Sequence, residues 1–266
     1  MRIMSLNGWG GALYGELMPY LRQESPDILC LQEVVHTPAT REETLIYRDG
    51  DHVLPQRANL LRDVAAALPD HVATFCPAAQ GILWNGTEPV ASQWGLATFV
   101  RTSFPIVAQH HGFVHKSFSP NGYGEHPRSR TAHAIRVYDF ECGWPVCVAH
   151  MHGLRDSAGK MDTPERLAQS RRFVAICKTV LEDGDRLVVC GDLNVEPSSA
   201  TFEVLAELGL VDLVTSRGFV DTRTSHYRKA ERFADYMLVN SHVEPKAFDV
   251  VAQPEISDHR PMVLEI

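Results

Sequence analysis

The sequence predicts a layered α/β sandwich, and three observations carry that prediction. Strand-like segments outnumber helical ones, they recur along the whole chain, and several are continuous apolar runs. Such runs belong to strands buried on both faces, which other layers must cover. No Gly/Ser-rich linker, low-complexity tract or short repeat interrupts the 266 residues, so a single domain over 1–266 is expected.

In chain order, the strand candidates are "RIMSLN", "DILCLQEV", "HVATFCPA", "GLATFVR", "AHAIRVYDF", "PVCVAHMH", "RLVVCGDLN", "ADYMLVN" and "PMVLEI". Helical spacing appears over 13–23 (Leu13, Leu17, Tyr20, Leu21), 59–68 (Leu60, Leu61, Val64, Leu68) and 163–182. The last opens with Thr163 as a cap and Pro164 at the first helical position. A fourth helix is expected in "SATFEVLAELGL", after Pro197, with Ser199 as its cap. The stretch 36–57 stays unassigned and is long enough for a specificity loop.

Composition narrows the function classes. With 44% apolar and 22% charged residues the chain is of globular type. No apolar run approaches the ~20 residues of a membrane span. The first residues, "MRIMSLNGWGG", read as a strand meeting glycines, not as a secretory signal, which predicts a cytoplasmic protein. Most cysteines lie in apolar segments and none forms a CxxC pair, as expected of reduced, buried thiols. A net charge of -8 argues against tight binding of duplex DNA, which draws on a basic surface. One segment runs the other way: residues 217–232 carry five Arg/Lys against two acids, a solvated loop or a contact for an anionic substrate.

The chemistry gathers at strand ends. Asn7, Glu33, His150 with His152, Asp192 with Asn194, and Asp258 with His259 each close or precede an apolar strand. Alternation along a strand would project Asp192 and Asn194 to one side. Any one of these has an ordinary explanation as a turn residue, an exposed end or a hydrogen-bonded core group. Together they point to one sheet edge, where ligands collect in α/β folds. Carboxylates and an amide are hard oxygen donors suited to Mg²⁺ or Mn²⁺, and imidazoles serve acid-base chemistry near neutral pH.

The ordered set "SLN" (Asn7), "LQEV" (Glu33), "AHMHG" (His150), "GDLN" (Asp192, Asn194), "FADYMLV" (Asp235) and "SDHRP" (Asp258, His259) resembles the signature of the endonuclease/exonuclease/phosphatase superfamily, the deoxyribonuclease-I-like fold. The resemblance spans residues 7 to 259. It implies a four-layer sandwich, two mainly antiparallel β-sheets packed face to face with helices outside. It also implies a metal-dependent phosphoric ester hydrolase: a phosphodiesterase, phosphatase, endonuclease or exonuclease that uses magnesium or manganese.

Carried over by position, Glu33 would be the principal metal ligand, with Asn7 and Asp258 beside the same ion or holding its waters. Asp192 would orient or deprotonate the attacking water, and Asn194 would donate to a phosphate oxygen. His259, oriented by Asp235, and His150 would face the phosphate. Asp192 and His259 both satisfy the chemistry of a general base. Arg130 opens a strand and reads as a fork onto the phosphate. His152 departs from the family's single histidine followed by leucine, and either widens the phosphate contacts or sits in the turn before Gly153. Lys160, Asp162 and Arg166 read as organisers of a helix start, and the histidines of "HHGFVH" as exposed strand or loop residues.

Elements marking the inositol-phosphatase and abasic-endonuclease branches are missing or displaced in "RFADYM". The expected partner is therefore a phosphoester of modest size: a small phosphorylated metabolite, a nucleotide or a short nucleic acid. Two other classes compete, a catalytically silent scaffold of the same fold and a zinc-dependent hydrolase using His150 and His152. A silent relic should have lost one of Glu33, Asp192, Asp258 or His259, and all are present.

Overall fold

A computed structural model describes residues 1–156 and 159–266. Its strands are β1 (Arg2–Asn7), β2 (Ile28–His36), β3 (Thr44–Asp49), β4 (His52–Arg57), β5 (His71–Asn85), β6 (Glu88–Arg101), β7 (Ile106–His115), β8 (Arg130–Asp139), β9 (Trp144–His152), β10 (Arg186–Asp192), β11 (Val211–Asp212), β12 (Asp235–Val239), β13 (Ala247–Val250) and β14 (Met262–Glu265). The helices are α1 (Tyr14–Glu24), α2 (Leu60–Ala67), α3 (Pro164–Lys178), α4 (Thr201–Leu205) and α5 (Leu213–Ser216).

The strands form two sheets. The larger runs β13-β14-β1-β2-β6-β5-β3-β4 and the smaller β11-β12-β10-β9-β8-β7. Pairing is antiparallel throughout except for β1 with β2 and β9 with β10. Helices flank the sheets, so the layered sandwich expected from the continuous apolar strands is what forms.

Neighbouring residues on the central strands show why those runs are apolar on both faces. Ile3, Ile28 and Cys30 join the cluster of Val148, Cys190 and Phe173, which fills the space around the smaller sheet and α3. Their chain neighbours Met4, Leu29 and Leu31 turn the other way, against Leu17 and Leu21 of α1 and Leu60 and Val64 of α2. Each such side chain contributes roughly 1.5–3 kcal/mol of burial, and both faces of β1 and β2 are covered.

Helix starts follow the sequence with one shift. Thr163 caps α3 by accepting from the Arg166 amide, with Pro164 in the first turn. Ser199 lies one residue ahead of the cap of α4, where its hydroxyl accepts from the Thr201 amide. The stretch 36–57 is an added hairpin, β3 and β4, turning at Gly50 with φ +57 and extending the larger sheet. No helix among the described residues is long and apolar enough to cross a membrane.

Candidate functional site

The two parallel pairs bring their polar ends to one edge. Asn7 pairs with Gln32, one residue before Glu33, and His152 pairs with Asp192. The antiparallel partners supply the rest from their beginnings: β12 starts at Asp235, directly opposite Asp192, and Asp258 and His259 lie just ahead of β14. Ser257 ties that last segment to β1 by donating to the Asn7 carbonyl at 2.6 Å. Glu33, His152, Asp192, Asn194, Asp258 and His259 therefore line one cleft of about 690 Å³, with Asn7 and Asp235 buried outside its lining.

Local backbone features aim the acids. The β2–β6 register breaks between Leu31 and Val34, and Glu33 takes φ +57. Such a bulge re-aims a side chain that alternation alone would misdirect, and Glu33 lines the cleft. In "CGDLN", Gly191 has φ +126 and a Cβ there would lie 2.2 Å from the Met151 carbonyl oxygen, so only glycine lets β10 meet β9 here. Asp192 and Asn194 do both line the cleft, but alternation is not the cause. The strand ends at Asp192, Asn194 adopts φ +54, and its amide turns back onto Asp192 Oδ1 at 3.1 Å. Asn194 Nδ2 donates to the Gly153 carbonyl at 3.2 Å.

Asp192 is the hub. Its Oδ2 accepts from Asn7 Nδ2 at 3.0 Å and stands 3.6 Å from His152 Nε2 and 3.7 Å from His259 Nε2. His259 Nδ1 lies 2.8 Å from Asp235 Oδ2. A proton must sit in that contact, so the neutral ring carries it on Nδ1 and leaves Nε2 as an acceptor, which Arg223 Nη1 uses. Burial, with the Arg223 charge, pushes His259 down to about 4, and burial pushes Asp235 up to about 7. Ligand atoms of Asp192, Asp235 and His259 fall within 4.8 Å of one another, close enough to hold a metal ion.

Glu33 completes an acidic group. Burial pushes its carboxyl up to about 7, and the neighbouring charges of Asp258 and Asp192 add to the rise. Crowded oxygen donors of one sign, with no lysine or arginine bonded to Glu33 among the described residues, fit a hard divalent cation. Asn7 lies beneath the cleft with Oδ1 accepting from the Trp9 amide and Nδ2 directed at Asp192, so its amide props up the acids.

His150 and His152 part company. Both project into the space between the sheets, being two residues apart on β9, but His150 sits one step deeper, opposite Cys190. Its Nε2 meets the Thr98 hydroxyl at 2.8 Å and its Nδ1 the Gln32 amide at 3.2 Å, and it does not line the cleft. His152 lies at the strand end, lines the cleft, and has Nε2 3.9 Å from Glu33 Oε1. Of the two β9 histidines expected near the phosphate, the structure therefore sets His150 below the cleft and His152 at it. Both His150 nitrogens are engaged in the core, so neither is turned toward an ion shared with His152.

Arg130 is buried against the cleft, its Nε on the Gly153 carbonyl at 2.8 Å and its guanidinium 5.0 Å over the Trp94 ring. Burial lowers it to about 10, with the charges of Glu33 and Asp192 opposing that fall. Lys160 lines the cleft and donates to the Phe233 carbonyl, whereas Arg166 spends its donors on the Met161, Leu154 and Gly159 carbonyls as a loop organiser. Asp162 serves the start of α4, accepting from Ser199 and the Ala200 amide. His110 and His111 are exposed, while His115 is buried.

Two contributors escaped sequence reading. Trp94 lies 5.2 Å from His152 with the rings tilted by 50°, and it carries Arg130, with no pattern to mark it. Arg223 bonds Asp258 Oδ2 at 3.2 Å, and its only trace was the local excess of positive charge over 217–232. Burial alone would lower the Arg223 guanidinium, but the surrounding charges of Asp192, Asp235 and Asp258 reverse this and raise it.

The whole architecture has counterparts. An endonuclease/exonuclease/phosphatase from Bacteroides vulgatus superposes with a TM-score of 0.69 at 16% identity, covering 99% of this chain and 97% of that one. A mannosyl-6-phosphatase of Bacteroides thetaiotaomicron gives 0.68 at 15% identity, with 100% and 98% covered. The human Nocturnin catalytic domain with bound sulfate gives 0.65 at 20% identity, with 99% and 92% covered. At such identities the likeness is one of fold. Among curated proteins none matches the chain. The family described as Endonuclease/Exonuclease/phosphatase matches residues 4–259, nearly the full length. With its strand-end acids and histidines gathered in one cleft, the chain belongs to the endonuclease/exonuclease/phosphatase family.

Proposed function

We propose that the chain hydrolyses phosphoesters of small phosphorylated metabolites or nucleotides with the help of Mg²⁺ or Mn²⁺. The observation that carries this reading is the position of Asp192, whose Oδ2 is supported by Asn7 and flanked by His152 and His259. A carboxylate so placed can orient and deprotonate a water while two imidazoles face the phosphate being attacked.

Glu33 and Asp258 would hold the ion, with Asn7 keeping the acids in place. When bound, a divalent cation neutralises phosphate oxygens and supplies Lewis acidity. His259 enters with Nε2 unprotonated; an approaching phosphate anion raises its proton affinity, so it can take over the proton that Asp192 removes from the attacking water, 3.7 Å away, and pass it to an oxygen of the ester. Asp235 holds the ring for that exchange through Nδ1. Asn194 and Arg130 add donors at the cleft wall, where a buried guanidinium with no carboxylate bonded to it among the described residues is matched to an anion.

Substrate size follows from the walls. Tyr47, Asp49 and His52 of the β3–β4 hairpin, with Tyr123 and Arg128, line one side of the cleft. Arg128 donates to the Tyr47 hydroxyl at 2.6 Å and to Asp49 at 2.9 Å, closing that wall. A walled cleft on a chain of charge -8 suits a compact ester better than long duplex DNA. The reading extends to a soluble cytoplasmic enzyme with one catalytic domain over 1–266.

The test is turnover of p-nitrophenyl phosphate, bis-p-nitrophenyl phosphate, a mononucleotide and plasmid DNA with Mg²⁺ or Mn²⁺, repeated with chelator. Hydrolysis of a small ester that chelator abolishes is expected. Turnover indifferent to chelator would overturn the metal-dependent reading.

A further inference from the structure

Arg223 brings a guanidinium in among the acids and histidines of the cleft. Its Nη1 bonds Asp258 Oδ2 at 3.2 Å and donates to His259 Nε2, the ring atom that itself lies 3.7 Å from Asp192 Oδ2. The guanidinium therefore reaches Asp258 and His259, and His259 belongs with Asp192 and Asp235 to the group of ligand atoms close enough to bind an ion.

This is a built position. The Arg223 backbone forms a β-bridge with His259, and the flanking Thr224 amide donates to the Asp258 carbonyl at 3.1 Å. Arg260 returns an amide to the Thr222 carbonyl at 2.9 Å. The side chain is buried, and its guanidinium stacks 4.2 Å from the Tyr227 ring. Arg232 braces the loop from outside by donating to the Arg223 carbonyl at 3.0 Å and to Asp221 at 2.9 Å. Arginine suits this role because its planar fork spans two acceptors and it stays charged at every working pH.

We propose that Arg223 is the site's own second cation: it fills the Asp192–His259 side, engaging Asp258 through Oδ2 alone, and leaves room for one divalent ion between Glu33 and the other Asp258 oxygen. This rests on the metal-dependent reading above and deepens it to a one-ion site. Two ions a few ångströms apart are a common solution for clamping both sides of a phosphoryl transfer, and here a guanidinium supplies one of the charges.

Equilibrium dialysis against Mn²⁺, with the bound metal counted by elemental analysis, tests the assignment. The parent is expected to saturate at one ion per chain. Arg223→Met and Arg223→Gln, which remove the charge, are each expected to admit a second, and Arg223→Lys to remain at one. Two variants without charge are included because either could lose the fold, which circular dichroism would reveal. A parent that binds two ions overturns the Arg223 assignment alone. So does a folded Arg223→Met or Arg223→Gln that still binds one. A parent that binds none removes the metal-dependent reading itself.

Discussion

Asp235 Oδ2 lies 2.8 Å from His259 Nδ1, in a contact that both residues bury almost completely. This holds the ring in one tautomer, with Nε2 toward Asp192 and the cleft. Asp235→Asn keeps the shape but can present an N–H to Nδ1, which favours the opposite tautomer. We expect kcat to fall by about 100-fold or more while the melting temperature shifts little. Steady-state kinetics beside calorimetry decide it, and a variant within a few fold of the parent would refute the orienting role.

The two histidines of β9 should separate by readout. His152→Ala removes a group facing the cleft and is expected to lower kcat by roughly 100-fold with little loss of stability. His150→Ala leaves Thr98 and Gln32 without partners in the core, costing about 1–3 kcal/mol, or roughly 3–10 °C in melting temperature. Its activity per folded molecule should stay near the parent's. The reverse pattern would return the phosphate-facing role to His150.

Mn²⁺ or Mg²⁺ should raise the melting temperature of the parent, since an ion that binds only the folded state stabilises it by mass action, about 2.7 kcal/mol at 100 times Kd. Glu33→Gln should abolish that rise and activity together. Thermal scans with and without metal provide the measurement; an equal rise in parent and variant would exclude Glu33 as a ligand.

His133 offers a pH signature away from the cleft. Burial, aided by the charges of His111 and His110, pushes its imidazole from 6.5 down to about 4, and its Nδ1 lies 2.6 Å from the Thr98 hydroxyl shared with His150. Above pH 6.5 the ring is neutral in both folded and unfolded chains and contributes nothing. As pH falls from 6.5 toward 4 the unfolded chain takes up a proton that the folded chain refuses, so stability declines, by about 3 kcal/mol at the limit. Glu33 and Asp235, raised to about 7, titrate with the opposite sign in parent and variant alike. In His133→Gln the loss of melting temperature between pH 6.5 and 4.5 should be shallower than in the parent. Identical slopes would sink the assignment.

Much of this was legible before any coordinates. Continuous apolar strands required covering layers, and polar residues closing those strands marked the edge where a site would form. Residues such as Asp192 and His259 could be named because strand ends are local and each carries its chemistry in its own side chain, whereas Asp235 was named only by the family resemblance of "FADYMLV". The helix starting at Pro164 was equally local, since Thr163 makes its own cap.

What the tertiary structure decided were distances across the sequence. His150 and His152 have the same residue type and share a strand face, so only the pairing of β9 with β10 shows which reaches the cleft. Glu33 points into the site because of a register break with β6, a feature of two strands that neither contains alone. Arg223 looked like one basic residue in a charged loop, and its role follows from a backbone bridge to His259, 36 residues later. The sequence by itself determined which chemical groups were available and that they would meet at a sheet edge. Packing decided which of them meet, because burial and hydrogen-bond partners depend on neighbours that the chain brings together only when both sheets are formed.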